Sequence, residues 1–403
     1  MAVPENSTVR WFTSEMAGAP QLTHDPGSVI AILDACLLHG FGQTTPDGNK
    51  IIVSAGVATV EFSGGNTFER HAVVEISGAT PNSLNDVWRI SSSTATTFTF
   101  DCPDVPDGIA SGAISVKRAT PGYWEKAFGG DMVAAYRSTH PNGTGMYLRI
   151  DDSRPFSDEF RIPVRGYMSM TDIDTGVGEF PTFDSRPEDD SSSTHLWIRH
   201  STQSQDDIPA PWAVIADERF IWYLPNVRQK NGAALYQFGD VGAPATADVY
   251  NCVLTGHYRN AWYGTDGSHA LYVGSNYKNG CYFAGSHDGS KTGVSYWRSG
   301  MGSSPLVYQS NRDVNVYPNP ISGGYLFSPL IAYDDETWRG TVPGIKQIDT
   351  FLSEDVEFSY DEQFRIIDLG FGLDRPILML QAGGKYRGDY YMAAAFDIWG
   401  PWR

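Results

Sequence analysis

Cysteine and positive charge are both scarce in this chain, and each scarcity removes a class of function. Four cysteines in 403 residues, Cys36, Cys102, Cys252 and Cys281, include no C-x-x-C pair. Neither a disulfide framework nor a zinc ribbon is encoded, and each thiol is expected to pack as a small apolar side chain. Lys and Arg number 29 against 47 Asp and Glu, a formal charge of -18. Nucleic-acid binding needs basic patches that neutralise phosphate, so no nucleic-acid partner is expected. An anionic membrane surface would repel such a chain equally, so no membrane partner is expected. No apolar run approaches the roughly 18 residues that would suggest a membrane-spanning helix. The opening, MAVPENSTVRWFTSEM, has no basic segment followed by an apolar core, so no secretory leader is expected. On these grounds the protein is expected to be made in a cytoplasm and to stay soluble there. No repeat of fixed period occurs, which disfavours a propeller or solenoid.

Aromatics and turn formers are plentiful: 11 Trp, 21 Tyr and 20 Phe stand beside 42 Gly and 24 Pro, a composition of short strands and many turns. One stretch, 25–42, reads as a helix. Val29, Leu33 and Cys36 or Leu37 recur at helical spacing, and Ile30, Ile32 and Leu38 widen the apolar face. Asp25 or Ser28 is placed to accept bonds from the first turn, and Gly40 falls where a left-handed cap would end the helix. A helix apolar on most sides must be buried, and the β-rich remainder is its natural cover.

After a turn cluster at 44–49 the texture changes. From Ile51 to about Ala119 the alternation is cleaner: Val60 and Phe62, Val74 and Ile76, Trp88 and Ile90, Phe98 and Phe100, and Ile114 and Val116 share faces at period two. This predicts a small barrel or sandwich inserted into a larger domain, because Trp124 to Phe128 and Ala134 to Arg137 resume the earlier aromatic style. The expected architecture is mainly β: a first part of the main domain at 1–49, an inserted small β-barrel domain at 50–119, and the β-rich continuation at 120–403. Trp212 to Ala216 and Phe220 to Leu224 flank Asp217-Glu218-Arg219 as the best hairpin in the chain. The polar stretch 185–207 reads as an exposed loop around a short strand, His195 to Ile198. Further strands are expected near 234–239, 248–255, 269–273, 280–284, 293–298 and 305–309.

Motifs that carry chemistry are thin. His195 and His200 stand five residues apart, as do Cys252 and His257, so on a strand each pair points to opposite faces and cannot converge on a metal. The segment 285–292 resembles a phosphate loop only superficially: Ser290 precedes Lys291 where that motif requires Gly. No G-x-S-x-G elbow occurs. Asp151, Asp152, Asp172, Asp174, Glu188, Asp189 and Asp190 are the residues that could supply an acid–base pair for glycoside hydrolysis or oxygen ligands for calcium, against a default of solvated loop charge. Exposed aromatics could stack on sugars, although most must be core. No catalytic, cofactor-binding or metal-binding residue is assigned, no cofactor is expected, and the chain is not read as an enzyme.

Val9-Arg10-Trp11-Phe12 through Leu22, Ser28 to Leu37 and Gly40-Phe41-Gly42 resemble a family of virion structural proteins from tailed bacteriophages and their prophages. So do Gly122 to Lys126, Leu148 to Asp152, Arg165 to Gly176, Pro211 to Val214, Phe238 to Asp240, Arg339 to Gly344 and Phe396 to Trp402. The inserted segment, with Ile76 to Pro81 and Thr97 to Phe100, is similar to small β-barrel modules of phage proteins and to the catalytic-cysteine half-domain module of ubiquitin-activating enzymes, a likeness that carries no activity. The resemblance implies a structural subunit of a phage tail, neck or baseplate, located in the virion and forming a symmetric homo-oligomer. Its implied partners are copies of itself and other virion proteins. The alternatives are a head-decoration protein or an adhesin that binds or cleaves host glycans.

Overall fold

In this computed structural model the residues described are 9–153, 161–181, 196–199, 208–226, 233–242, 248–257, 279–285, 295–298, 327–334, 337–348, 364–368, 375–386 and 390–403. The fold is mainly β, as expected, with antiparallel sheets, one of them curled into a half-barrel, and, among the described residues, one helix of 12 residues. The expected strands at 269–273 and 305–309, and the loop 185–207 apart from 196–199, lie outside the described residues.

The largest sheet has twelve strands. From one edge its order is Arg10–Thr13, Trp212–Ala216, Phe220–Pro225, Tyr236–Asp240 and Cys252–His257. It continues through Leu196–Ile198, Arg161–Met170, Tyr147–Asp151 and Val133–Ser138 to Trp124–Gly130. Gly176–Phe180 adds to Arg161–Met170, and Asn279–Phe283 to Cys252–His257. The expected hairpin at 212–224 is central to it, with Ala216 opposite Ile221 and every residue of both strands buried. A six-stranded sheet gathers Ser295–Arg298, Phe327–Asp334, Thr337–Ile348, Tyr390–Asp397, Pro376–Tyr386 and Phe364–Asp368. Trp222 joins the two sheets: its indole N–H donates to Pro343 O at 2.8 Å, and its ring meets Phe396 edge-on at 5.2 Å.

An eight-stranded sheet is made from the strands between 41 and 118. Period-two alternation places Val60, Phe62, Val74, Ile76, Ile90, Phe98, Phe100, Ile114 and Val116 inside. Trp88 is only half-buried and stacks on Phe100 with centroids 4.9 Å apart. The strand Phe41–Thr44 also belongs to this sheet, pairing Phe41 with Arg118 and Thr44 with Val116. Its core runs without a break into that of the large sheet.

The helix comprises an α segment, Ser28–Asp34, continued by a π turn, Ala35–His39. Val29, Ile30, Ile32, Leu33, Cys36 and Leu37 are buried, as their spacing predicted. Its capping differs from expectation at both ends. Neither Asp25 nor Ser28 caps the first turn: Gly27 occupies the N-cap position with no side-chain bond, and Ser28 Oγ donates to Thr23 O instead. Asp152, far along the chain, accepts the Val29 N–H on its carboxylate at 2.9 Å and the Gly27 N–H on its carbonyl at 3.1 Å. Local sequence offers no sign of a cap supplied by tertiary contact. Gly40 ends the helix with φ 69° but ψ 174°, which is outside the left-handed helical well. Glycine is required there because a Cβ would lie 2.1 Å from Arg118 O.

Candidate functional site

The neighbouring residues Asp151 and Asp152 show how the large sheet sorts its polar groups. In Tyr147–Asp151, Leu148 and Ile150 face the core while Tyr147, Arg149 and Asp151 face outward. One residue further, Asp152 turns inward.

On the inner side Asp152 pairs with Arg199, Nη1 to Oδ1 2.9 Å, and neither side chain has any exposed surface. Burial pushes the Asp152 carboxyl up to about 6, and Arg199 with the amide N–H groups of Val29, Ile30 and Gly27 opposes the rise. Beside it, Tyr136 donates to Asp34 at 2.7 Å, and Lys126 makes an ion pair with the same carboxylate. Burial is the main cause that raises the Tyr136 and Tyr223 hydroxyls well above the usual range, and Asp152 adds to it in both. These groups hold the helix to the sheet.

On the outer side a row crosses five strands in register: Glu125, Arg137, Tyr147, Tyr167 and Glu179. Arg137 donates to Glu125 at 2.6 Å and to the Tyr147 hydroxyl at 2.7 Å, with its guanidinium 5.0 Å from the Tyr147 ring centroid. Arg165 reaches Glu179 at 2.5 Å. Arg149 binds Asp174 at 2.8 Å, Asp151 at 3.9 Å, and the Ile173 carbonyl. Asp172 accepts the Asp174 N–H at 2.8 Å, and backbone bonding of this kind lowers its carboxyl below the usual value. Beneath these charges Ala135, Tyr147 and Met170, with Ala127, Phe128, Tyr167 and Ile173, form a small apolar cluster separate from the main core. The alternation Tyr147-Leu148-Arg149-Ile150-Asp151 carries the sequence signal for this face, but the arginines' partners come from other strands and a turn.

Of the candidate carboxylates, the structure thus brings Asp151 and Asp174 to one arginine, gives Asp172 to a turn, and buries Asp152. Glu188, Asp189, Asp190, His195, His200 and 286–292 lie outside the described residues. Among the described residues no three His, Cys, Asp or Glu side chains are grouped to hold a metal ion. Cys36, Cys102 and Cys252 are buried free thiols, and burial raises each above its ordinary value, which removes thiolate character.

A second polar cluster lies under the hairpin turn at Asp217-Glu218-Arg219. Asp240 accepts from Thr144 N at 2.9 Å and Thr144 Oγ1 at 2.6 Å, and Arg403 binds Asp217 at 2.8 Å and the Asp240 carbonyl at 2.7 Å. Burial, aided by Arg219 and Arg403, lowers the nearby His140 imidazole. The bonds of this cluster fasten the loop after Ser138 to the hairpin. No family model matches the chain, and no curated protein matches it.

Proposed function

We propose that the chain is a non-catalytic structural subunit of a tailed-bacteriophage virion, in the tail, neck or baseplate, that assembles from copies of itself. One observation carries the self-assembly. The chain bears a formal charge of -18, so most approaches of one copy to another are repulsive. The outer face of 124–180 is an exception: three arginines, Arg137, Arg149 and Arg165, are matched to four carboxylates, Glu125, Asp151, Asp174 and Glu179. A face whose arginines and carboxylates are largely paired, with an apolar cluster beneath it, is where like-charged copies can meet with least repulsion.

The absence of catalysis is supported by the use made of the candidate carboxylates. Among the described candidates, Asp151, Asp152, Asp172 and Asp174 are each bound to an arginine or a backbone N–H. The resemblance to virion proteins supplies the location.

Quantitation in purified particles tests the reading. Stoichiometric presence at a symmetric copy number is the expected result, and absence from the particle overturns it. The double change Arg149→Glu and Arg165→Glu should lower incorporation while leaving the isolated chain folded.

A further inference from the structure

The polar cluster under the hairpin turn contains an arginine that the folding contacts leave without a carboxylate. Arg137, Arg149, Arg165, Arg199, Arg339 and Arg403 each form an ion pair. The half-buried Arg219 guanidinium instead donates from Nη1 to the Asn142 carbonyl at 2.8 Å and, among the described residues, forms no ion pair. The carboxylates around it are engaged elsewhere. Asp217 Oδ1 accepts Arg403 Nη2 and the Arg219 backbone N–H, each at 2.8 Å, and Thr144 takes both oxygens of Asp240. Burial first, and then repulsion from Arg403, lowers the Arg219 guanidinium below its ordinary value. A bound anion would offset both effects.

The loop after Ser138 sets two more groups beside this guanidinium. Arg219 lies along that loop, since a Cβ on Gly143 would stand 3.4 Å from Arg219 Cδ. His140 Nδ1 accepts the Asn142 N–H at 3.1 Å, so the neutral imidazole carries its proton on Nε2, ready to donate. Tyr123 has φ 59°, the left-handed region, which is an outlier for an aromatic residue. Thr139 holds it there, donating from its N–H and Oγ1 to the Tyr123 carbonyl at 2.7 Å and 2.9 Å. The Tyr123 ring is 50% exposed and meets the His140 ring edge-on, with centroids 4.8 Å apart. A fixed ring, an imidazole N–H and an arginine fork thus follow one another before any ligand arrives.

We propose that Tyr123, His140, Asn142 and Arg219 form a binding site for a carboxylated sugar, its carboxylate on the Arg219 fork and its ring against Tyr123. A guanidinium is the side chain whose donors match a planar carboxylate. One such group beside a neutral imidazole suits a single negative charge, and Asp217 and Asp240 nearby disfavour a phosphate dianion. The exposed Tyr123 ring offers an apolar face, while His140 Nε2 and the exposed Asn142 amide offer partners for ring hydroxyls. The chain's charge of -18 does not forbid this, because charges further away than about 8 Å are largely screened at physiological salt. Sialic and uronic acids share the required chemistry. This inference stands independently of the assembly reading and can hold for the isolated protein.

The test uses the full chain on an array of sialylated, uronic and matched neutral oligosaccharides, with inorganic phosphate and a peptide ending in a carboxylate as competitors. The strongest acidic binder is then titrated by calorimetry. Retention of acidic but not neutral glycans is expected, and the sialylated and uronic arms show which sugar supplies the carboxylate. Arg219→Gln should lower affinity by about tenfold or more, the scale of a hydrogen bond to a charged group. Tyr123→Ala should lower it by about fivefold, and Tyr123→Phe, which keeps the ring, should bind like the parent. Tyr123→Ala leaves the Arg219–Asn142 bond intact, so it tests the site even where Arg219→Gln loosens the loop. The proposal is overturned by retention of no acidic glycan or by equal retention of the neutral forms. Stronger binding of phosphate or the peptide than of the acidic sugar, or parent-level affinity in Arg219→Gln or Tyr123→Ala, overturns it as well.

Discussion

Replacing Arg199 by Met should destabilise the protein in a strongly pH-dependent way. The change keeps an unbranched apolar stem and removes the guanidinium that faces Asp152 at 2.9 Å with no solvent access to either side chain. Breaking a buried pair from one side leaves the remaining charge uncompensated, a loss of about 3–5 kcal/mol. That loss belongs to ionised Asp152 alone. In the parent, burial already holds the folded Asp152 carboxyl at about 6, above the ordinary 3.8, and Arg199 is the largest influence lowering it. Without Arg199 the folded value rises further. A folded value above the unfolded one means that the folded state binds the proton more tightly, so stability falls as pH rises through the folded value. The deficit of Arg199→Met should therefore grow as pH rises above the parent's folded value of about 6, be large at pH 8, and shrink towards pH 5, where Asp152 is mostly protonated in both proteins. Urea unfolding of parent and variant at the two pH values, read as the midpoint shift at constant slope, measures this difference. An equal deficit at both would show that the loss comes from packing of the arginine stem and would refute the electrostatic account.

Other outcomes follow from the same geometry. Gly40→Ala places a Cβ 2.1 Å from Arg118 O at a φ of 69°, so thermal unfolding should show a loss of about 3 kcal/mol or more. Arg89 donates to the carbonyls of Val9, His71, Ile398 and Trp399, and Arg89→Ala should speed amide exchange around Trp399 while leaving exchange in Thr97–Asp101 unchanged. A fragment beginning at residue 41 should unfold at a higher temperature than one beginning at 50, because it retains the pairing of Phe41 with Arg118; equal midpoints would show that this strand adds nothing. Incubation with host polysaccharide should leave its chain length unchanged, and depolymerisation lost in Asp172→Asn would disprove the non-catalytic reading.

What could be read from the sequence was local and periodic. The helix faces, the hairpin around Asp217 and the alternating pairs from Val60 to Val116 follow from spacing, since burial on one side of an element imposes a period on it. Parity also separates Asp151 from Asp152. It could not say that Asp152 would meet a helix start 123 residues earlier and an arginine 47 residues later, because those meetings depend on how the sheet curls. The helix illustrates the limit: its apolar face was legible, whereas its cap came from another part of the chain. Arg339 is similar. An arginine within Trp338-Arg339-Gly340 reads as a surface residue until a bulge turns it inward. The glycans and carboxylates of an active site would have demanded convergence of separate elements, which no spacing in one dimension reports.

The four carbonyls gathered by Arg89 carry a consequence for how the chain is threaded. Val9 O and Ile398 O both accept from one guanidinium, at 3.2 Å and 3.1 Å, so positions nearly 390 residues apart are brought within the span of a single side chain. In topological terms the molecule closes on itself, and one of the fasteners of that closure belongs to the sheet formed between 41 and 118. A permuted gene that joins the two segments by a short linker and reopens the chain at the exposed turn Gly64-Gly65 would keep every strand neighbour, since neither glycine has any atom within 4 Å of the place where a Cβ would stand. Such a closure can be cut and resealed elsewhere, but deleting the sheet that bears Arg89 would remove the one guanidinium that reaches both of its sides.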